Sequence, residues 1–351
     1  MSELFREGGP FDIRKTGRDQ YSLSVPLPKD ADGRIDRECP CEGCSPGYFK
    51  VKPGTGLSGM KEAFCPYCRH SAPPDEYHTK DQVRFVKDVA AREAHAGMAR
   101  MLKEKLGMDS SGNRRLASGL INIDIKMEPI RLRSVSLPFQ DILRRDVLCP
   151  HCALDHSVFG LATWCSDCGK DIFATHVQGE MDVIKTMMGD VVRRKTHLGA
   201  RVAARDIENG LEDLVSVFEA TLKIEVRRFL RQNSSSEEDI ELTMKRIGSR
   251  LQSIAHARTL IQEHCGLPLA LEPEPTMVRL AEVFEKRHPI THNLGVVDRK
   301  YLERVRSSDD LGKEVSIDED EIISAANLVF GILDSLHSRL FLKPTGHGAI
   351  T

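Results

Sequence analysis

The chain has 351 residues, enough for two or three domains with buried cores. Its 50 Lys and Arg against 52 Asp and Glu leave no basic excess, and aromatic residues are only 5%, which argues against broad base-stacking surfaces and confines any nucleic-acid contact to a local positive patch. No run approaches the roughly 20 apolar residues of a membrane helix, and the polar start Met1-Ser2-Glu3-Leu4-Phe5-Arg6-Glu7 has no signal core, so a soluble cytoplasmic protein is expected.

Residues 1–37 are polar, carry Pro26 and Pro28, and read as an extended arm. Nine of the ten cysteines then fall in two groups, and in a reducing compartment such spacing points to metal rather than disulfides. The first module, 38–75, offers Cys41-Glu-Gly-Cys44 and Cys65-Pro-Tyr-Cys68 as its natural quartet. Cys39 is surplus there: it could replace Cys41 as a ligand or stay outside.

Residues 76–146 form a connector. Val83, Val86, Ala90, Met98, Met101 and Leu102 predict a helix over Thr79–Leu106, ended by Gly107 to Gly112. Ile121, Ile123, Ile125 and Met127 alternate with polar residues, the period of a half-buried strand. Glu128-Pro129 turns it, and Ile130 to Leu137 is expected as its partner. The second module, 147–175, carries Cys149-Pro-His-Cys152 and Cys165-Ser-Asp-Cys168, with Gly169 suited to a positive-φ turn beneath a metal. Two four-cysteine sets at this spacing imply two structural zinc ions, and four protein ligands leave no open position for catalysis. His70, His151 and His156 lie nearby and are expected to brace rather than ligate. Cys265 stands alone and reads as a small buried apolar residue.

From His176 onward the texture is helical, with a bundle expected over 176–343 and a tail at 344–351. Leu211, Leu214, Val215, Phe218, Leu222, Val226 and Phe229 make one apolar stripe. Gln232 to Ser236 ends that helix, and Ser235 with Glu238 resembles a capping box for the next. Met244, Ile247, Leu251, Ile254 and Ile261 carry a second stripe, stopped by Gly266-Leu-Pro268. Glu272-Pro-Glu-Pro275 leads into a helix over about Met277 to Arg287. A box at Ser316 and Glu319 opens the last helix, with the stripe Ile322, Ala325, Val329, Leu333, Leu336 and Leu340 ended by Lys343-Pro344. The expected class is therefore multidomain α+β: two small zinc ribbons with a short β-hairpin region, then an antiparallel bundle of four or five helices.

Within that bundle, Arg287-His288-Pro289-Ile290-Thr291-His292 joins a permanent cation to a group that titrates near neutrality. Pro289 disfavours helical geometry at His288, which predicts Arg287 at a helix end and His292 in or beyond the bend. The run from Arg287 through Asn293, Gly295, Asp298 and Tyr301 to Leu302 resembles the HEPN superfamily, whose hallmark is Arg, a polar residue, then His between two bundle helices. Arg287, His288 and His292 match those three positions; the family often has asparagine where this chain has His288, and Pro289 is peculiar to this chain. The likeness covers about 178–342 in architecture but only these sixteen or so residues in sequence. It implies a metal-independent ribonuclease working at a homodimer interface, often in toxin, RNA-processing or antiviral defence systems. His292 would move the proton of a ribose 2′-hydroxyl or of the leaving oxygen, Arg287 would hold phosphate charge, and His288 would orient the phosphate or complete the proton transfer.

The bland alternative is that Arg287 pairs with Glu282 or Glu285 and His292 braces the junction. The chain would then be a non-catalytic regulator whose bundle dimerises, or a scaffold whose ribbons dock a regulatory protein. Arg131, Arg133, Arg144 and Arg145 beside the second ribbon, and Arg193-Arg194-Lys195 on the first bundle helix, are candidate phosphate patches, with a solvated face as the competing reading.

Overall fold

The computed structural model describes residues 5, 11–18, 20–108, 113–118, 121–126, 143–305 and 309–342. The chain falls into two units, one of 1–160 with 164–170 and one of 161–163 with 171–351.

The first unit begins with a hairpin of β1 (Ile13–Gly17) and β2 (Gln20–Leu23), inside the stretch read as an extended arm. Next come β3 (Ile35–Glu38), β4 (Tyr48–Val51), β5 (Ala63–Phe64), β6 (Ser71–Ala72), α1 (Lys80–Leu106), β7 (Asn113–Ser118), β8 (Ile121–Lys126), β9 (Arg145–Leu148) and β10 (Asp155–Val158). The cysteine modules are not separate beads. Strand β10 pairs with β4, so that His156 faces Val51 and Val158 faces Phe49. The result is one antiparallel sheet in the order β3-β4-β10-β9.

That sheet buries cations, and each is compensated. Lys50 is 2% exposed, with Nζ 3.0 Å from Asp30 and 3.7 Å from Asp36. Arg34 is 5% exposed and donates to Asp155 at 2.7 Å, with Asp146 at 3.4 Å. Removing one partner of such a pair would strand a charge out of water, which costs more than the pair itself contributes.

Helix α1 matches its expected span. Thr79 Oγ1 accepts from the Gln82 amide while Gln82 Oε1 accepts from the Thr79 amide, and Gly107 closes the helix at φ 57°. Strand β8 lies where the alternation placed it, but it pairs with β7, the segment before it, in register Arg115↔Asp124. The partner expected at 130–137 lies outside the described residues.

The second unit is helical: α2 (Phe173–Gly189), α3 (Val191–Leu198), α4 (Ala200–Gln232), α5 (Glu237–Ile247), α6 (Ile254–Cys265), α7 (Glu274–Glu285), α8 (Arg287–Asn293), α9 (Arg299–Arg304) and α10 (Glu319–Phe341). Among the described residues this makes nine helices where four or five were expected. The expected stripes are real but the rods are cut. Gly248 (φ 54°, ψ −126°) splits the second stripe into α5 and α6 with a 3-10 turn, Arg250–Gln252, between them. Asp190 separates α2 from α3, so Arg193 to Lys195 sit on the second helix rather than the first, and Gly199 at φ 95° separates α3 from α4. Two caps also move. Ser236, not Ser235, accepts the Asp239 amide, and Asp318, not Ser316, accepts the Glu321 amide. In both cases the capping residue is the extended one immediately before the first helical turn.

Helices α2, α4 and α10 wrap the core, with Met181, Leu214, Phe218, Leu222, Val329 and Leu333 wholly buried. Phe218 meets Phe284 of α7 edge-on at 5.2 Å, and burying such a ring contributes about 2–3 kcal/mol. No helix among the described residues is long and apolar enough to cross a membrane.

One charged node is sunk into this core. His337 of α10, 2% exposed, stacks on Phe173 at 4.0 Å, with Nδ1 3.1 Å from Glu225 Oε1 and Nε2 3.2 Å from Asp171. Arg228 donates to the same Asp171 at 2.9 Å and lies over the Phe341 ring. Burial alone would lower the imidazole, but the bonds to Asp171 and Glu225 lift it to about 9 from an ordinary 6.5. Burial would likewise raise Asp171, yet His337, the Phe173 amide and Arg228 hold it below the usual carboxylate range. A group raised on folding stabilises fully below its unfolded pKa, and that contribution fades as pH climbs through the folded value. Thermal unfolding of the whole chain should therefore lose on the order of 3 kcal/mol between about pH 6.5 and 10, and His337→Gln should flatten that slope. Parallel curves for the two proteins would refute the assignment.

Candidate functional site

Three of the four cysteine pairs fold alike. The residue after the second cysteine takes positive φ: 61° at Arg69, 59° at Ala153 and 61° at Gly169. Its amide returns to the carbonyl of the first cysteine, as in Arg69 to Cys65 (3.0 Å), Ala153 to Cys149 (2.9 Å) and Gly169 to Cys165 (3.0 Å). The first cysteine's amide in turn donates to the carbonyl of the next residue, to His70, Leu154 and Lys170 respectively. This closed loop aims both thiols of a CxxC at one point. At Gly169 a side chain would also press the Phe64 ring, 3.0 Å from where a Cβ would stand.

The fourth pair departs from the pattern and corrects the expected quartet. The sulfurs that converge with Cys44, Cys65 and Cys68 include Cys39, not Cys41. Cys39 follows β3, is 8% exposed, and is fixed by its amide donating to Gly47 at 2.8 Å. Cys41 is exposed, and its sulfur lies toward the Glu42 carbonyl. Strand β3 and the pairing beyond it decide which thiol faces inward, and a CxxC spacing does not encode that. Cys149, Cys152, Cys165 and Cys168 converge as expected.

Sulfur separations are 3.6 Å (Cys39–Cys68) and 3.7 Å (Cys44–Cys65) in the first group, and 3.8 Å (Cys149–Cys168) and 3.5 Å (Cys152–Cys165) in the second. Thiolates on a tetrahedral ion at a metal–sulfur distance of about 2.3 Å stand roughly 3.8 Å apart, so both groups fit such an ion. His70, His151 and His156 belong to neither group. His156 is fully buried, its Nδ1 3.3 Å from Ser166 Oγ. Cys265 is buried in the helical core, where burial first and Glu225 second push its thiol up to about 12.

The Arg-x4-His run lies on α8, and its geometry differs from expectation. Lys286 alone separates α7 from α8, and His288 is helical despite preceding proline. Pro289 is the third residue of α8, where an amide hydrogen has no intrahelical acceptor, so the ring costs little. Helical spacing then places His288 and His292 together, ring centroids 5.0 Å apart. Leu294 ends the helix at φ 51° and is 91% exposed, and Asp298 caps α9 by accepting from the Tyr301 amide at 2.7 Å.

Arg287 points elsewhere. Its Nη2 donates to Gln252 Oε1 at 2.7 Å, and Thr291, one turn on, donates to Glu212 at 2.8 Å. Neither Glu282 nor Glu285 takes Arg287; Glu285 pairs with Arg304 at 3.1 Å. The imidazoles see other groups: His288 Nε2 is 3.9 Å from Asp298, and His292 is exposed. His288 is held below the usual imidazole value by burial and then by the charge of Lys300, with His292 and Arg304 adding and Asp298 opposing. Asp298 and Lys300 were within the quoted run but unassigned; Gln252 and Glu212 are far off in sequence and gave no signal.

The expected basic patches are largely committed. Arg193 is paired with Asp190, Arg194 with Asp206, and Arg144 with Asp32, while Arg145 donates to the Leu143 carbonyl. Arg131 and Arg133 lie outside the described residues. Comparison with known proteins found no family model, no curated protein and no solved structure that matches the chain.

The sulfur geometry is directly testable. Elemental analysis of the purified chain should give two thiolate-bound metal ions per chain, still two in Cys41→Ser, and one in Cys39→Ser. Loss of an ion from Cys41→Ser with retention in Cys39→Ser would restore the spacing-based quartet.

Proposed function

We propose that the helical unit cleaves RNA without a catalytic metal, in the manner implied by its likeness to the HEPN superfamily, and that both cysteine groups hold structural zinc. The supporting observation is the pair of imidazoles on α8, 5.0 Å apart and open to solvent at His292, with one of them held toward its neutral form.

In this reading neutral His288 takes the ribose 2′-hydroxyl proton as O2′ attacks phosphorus. His292 gives a proton to O5′ as the P–O5′ bond breaks, leaving a 2′,3′-cyclic phosphate and a free 5′-hydroxyl. The roles can exchange between two imidazoles so placed, and His292 as base is the alternative order. Arg287 holds the charge that gathers on the phosphoryl oxygens. It lies roughly 140° around α8 from His292, so a homodimer that lays two α8 turns against one another would supply the arginine of one chain to the imidazoles of the other. Zinc would give rigidity to the sheet unit, which would recognise RNA or dock a regulatory protein.

A second reading has an observation in its favour. The bond from Arg287 to Gln252 ties α8 to the 3-10 turn, as a bracing arginine would, and the bundle would then only dimerise or bind.

Incubating the zinc-loaded chain with RNA separates these. Arg287→Ala and His292→Ala should each lower cleavage by about 10²-fold or more, and brief chelation should leave the rate unchanged. Because His288 is depressed, the acid limb of kcat/KM should fall below 6.5. RNA bound intact by all three proteins would favour the second reading, and indifference to RNA would leave a protein-docking scaffold.

A further inference from the structure

Arg287 differs from several arginines of the same unit. Arg194 lies on Asp206, Arg228 on Asp171, Arg231 on Glu237, Arg258 on Glu274 and Arg304 on Glu285, each with its charge met by a carboxylate. Arg287 is half-buried, yet among the described residues it forms no ion pair, and its hydrogen-bond acceptor is the neutral amide of Gln252. Half-burying a guanidinium without a counter-charge costs solvation, and the fold had a carboxylate at hand to avoid that cost. Glu219 is that carboxylate. It stands immediately behind Gln252, accepting from Nε2 at 2.7 Å. Its other oxygen takes Lys223 Nζ, also at 2.7 Å.

The order Arg287, Gln252, Glu219, Lys223 has one consistent chemistry. A guanidinium only donates and a carboxylate only accepts, so the amide between them can sit only with Oε1 toward Arg287 and Nε2 toward Glu219. The amide thereby fixes the direction of the guanidinium. It also keeps the negative charge of Glu219 one side chain away, where Lys223 neutralises it. The cation is positioned and left electrostatically uncommitted, which is what a phosphate-binding arginine needs.

We infer that Gln252 is a positioning residue that holds Arg287 for an RNA phosphate while keeping its charge unpaired. This rests on the RNA reading above for its ligand, and the test separates the two. The probe is a 2′-O-methyl RNA oligonucleotide, which lacks the attacking hydroxyl and reports phosphate binding whether or not the protein cuts. Its affinity is measured for the wild-type chain, Gln252→Glu, Gln252→Ala, Arg287→Ala and the double variant Arg287→Ala with Gln252→Glu. Unmodified RNA is followed in parallel for cleavage, and melting temperatures check folding.

Gln252→Glu places a carboxylate on Arg287 in nearly unchanged volume, and since it also replaces the donor to Glu219 with an acceptor, Gln252→Ala serves as its control. It should weaken binding about tenfold, the scale of one lost charge-assisted hydrogen bond, and Gln252→Ala should weaken it less. In the Arg287→Ala background Gln252→Glu should cost nothing further, because its effect passes through the guanidinium. Wild-type affinity in Gln252→Glu, or a loss that adds in full to that of Arg287→Ala, overturns the inference even if RNA is cut. Binding that depends on Arg287 and Gln252 with no cleavage by the wild type upholds it while ending the nuclease reading. Should Gln252→Glu fold poorly, Gln252→Ala against Arg287→Ala gives the same additivity test.

Discussion

An α-helix turns about 100° per residue, and at α8 that rotation decides which side chains can act together. Residues one turn apart share a face, so His288 meets His292 and Arg287 shares its side with Thr291. The linear motif names Arg and His as a pair, but the helix distributes them to adjoining sides: His288, beside His292, toward Asp298, and the guanidinium toward Gln252. Everything chemical about the turn follows from this division. Two imidazoles lie side by side within one chain, and the guanidinium is presented separately. Pro289 permits the arrangement because it falls in the first turn of a helix that Lys286 has just separated from α7.

The metal modules show where local pattern ends and tertiary structure begins. A CxxC loop is self-contained: its positive-φ residue and its two backbone bonds lie within six residues, so Cys65–Cys68, Cys149–Cys152 and Cys165–Cys168 were legible from spacing. Cys39 and Cys44 are brought together by β3, the Gly47 carbonyl and the pairing of β3 with β4, none of which a CxxC search contains. The β4–β10 pairing was invisible for the same reason, since it joins residues about a hundred positions apart. In the helical unit the apolar stripes at 3.6-residue spacing identified the core faces, including those of α4 and α10. Helix count was misread because periodicity runs on through a glycine that the backbone uses to turn, as at Gly248. Caps slipped by one or two residues because Ser, Asp and Glu cluster at those ends, and sequence alone does not say which of them is extended.

Charge placement follows one rule in each of the two units. In both, buried cations are bound by more than one acid: Lys50 by Asp30 and Asp36, Arg34 by Asp155 and Asp146, His337 by Glu225 and Asp171. Such nodes fix which strands or helices lie together, because a shifted register would leave a charge unpaired in a medium that solvates it poorly. His337 is the clearest case, drawing α4, α10 and Asp171, two residues ahead of α2, to one point in a largely apolar interior.

The same pairing bears on nucleic-acid affinity. With Lys and Arg balanced by Asp and Glu overall, the chain has no net positive field to gather a polyanion at long range. Counterion release scales with the number of phosphates neutralised, so a site with a single directed cation binds nucleic acid with a shallow dependence on salt. For a molecule so balanced, any binding of a polyanion would rest on a small number of well-held contacts and not on a basic face. A neutral amide holding Arg287 suits that economy of charge: it directs one guanidinium and keeps it from its neighbouring acid.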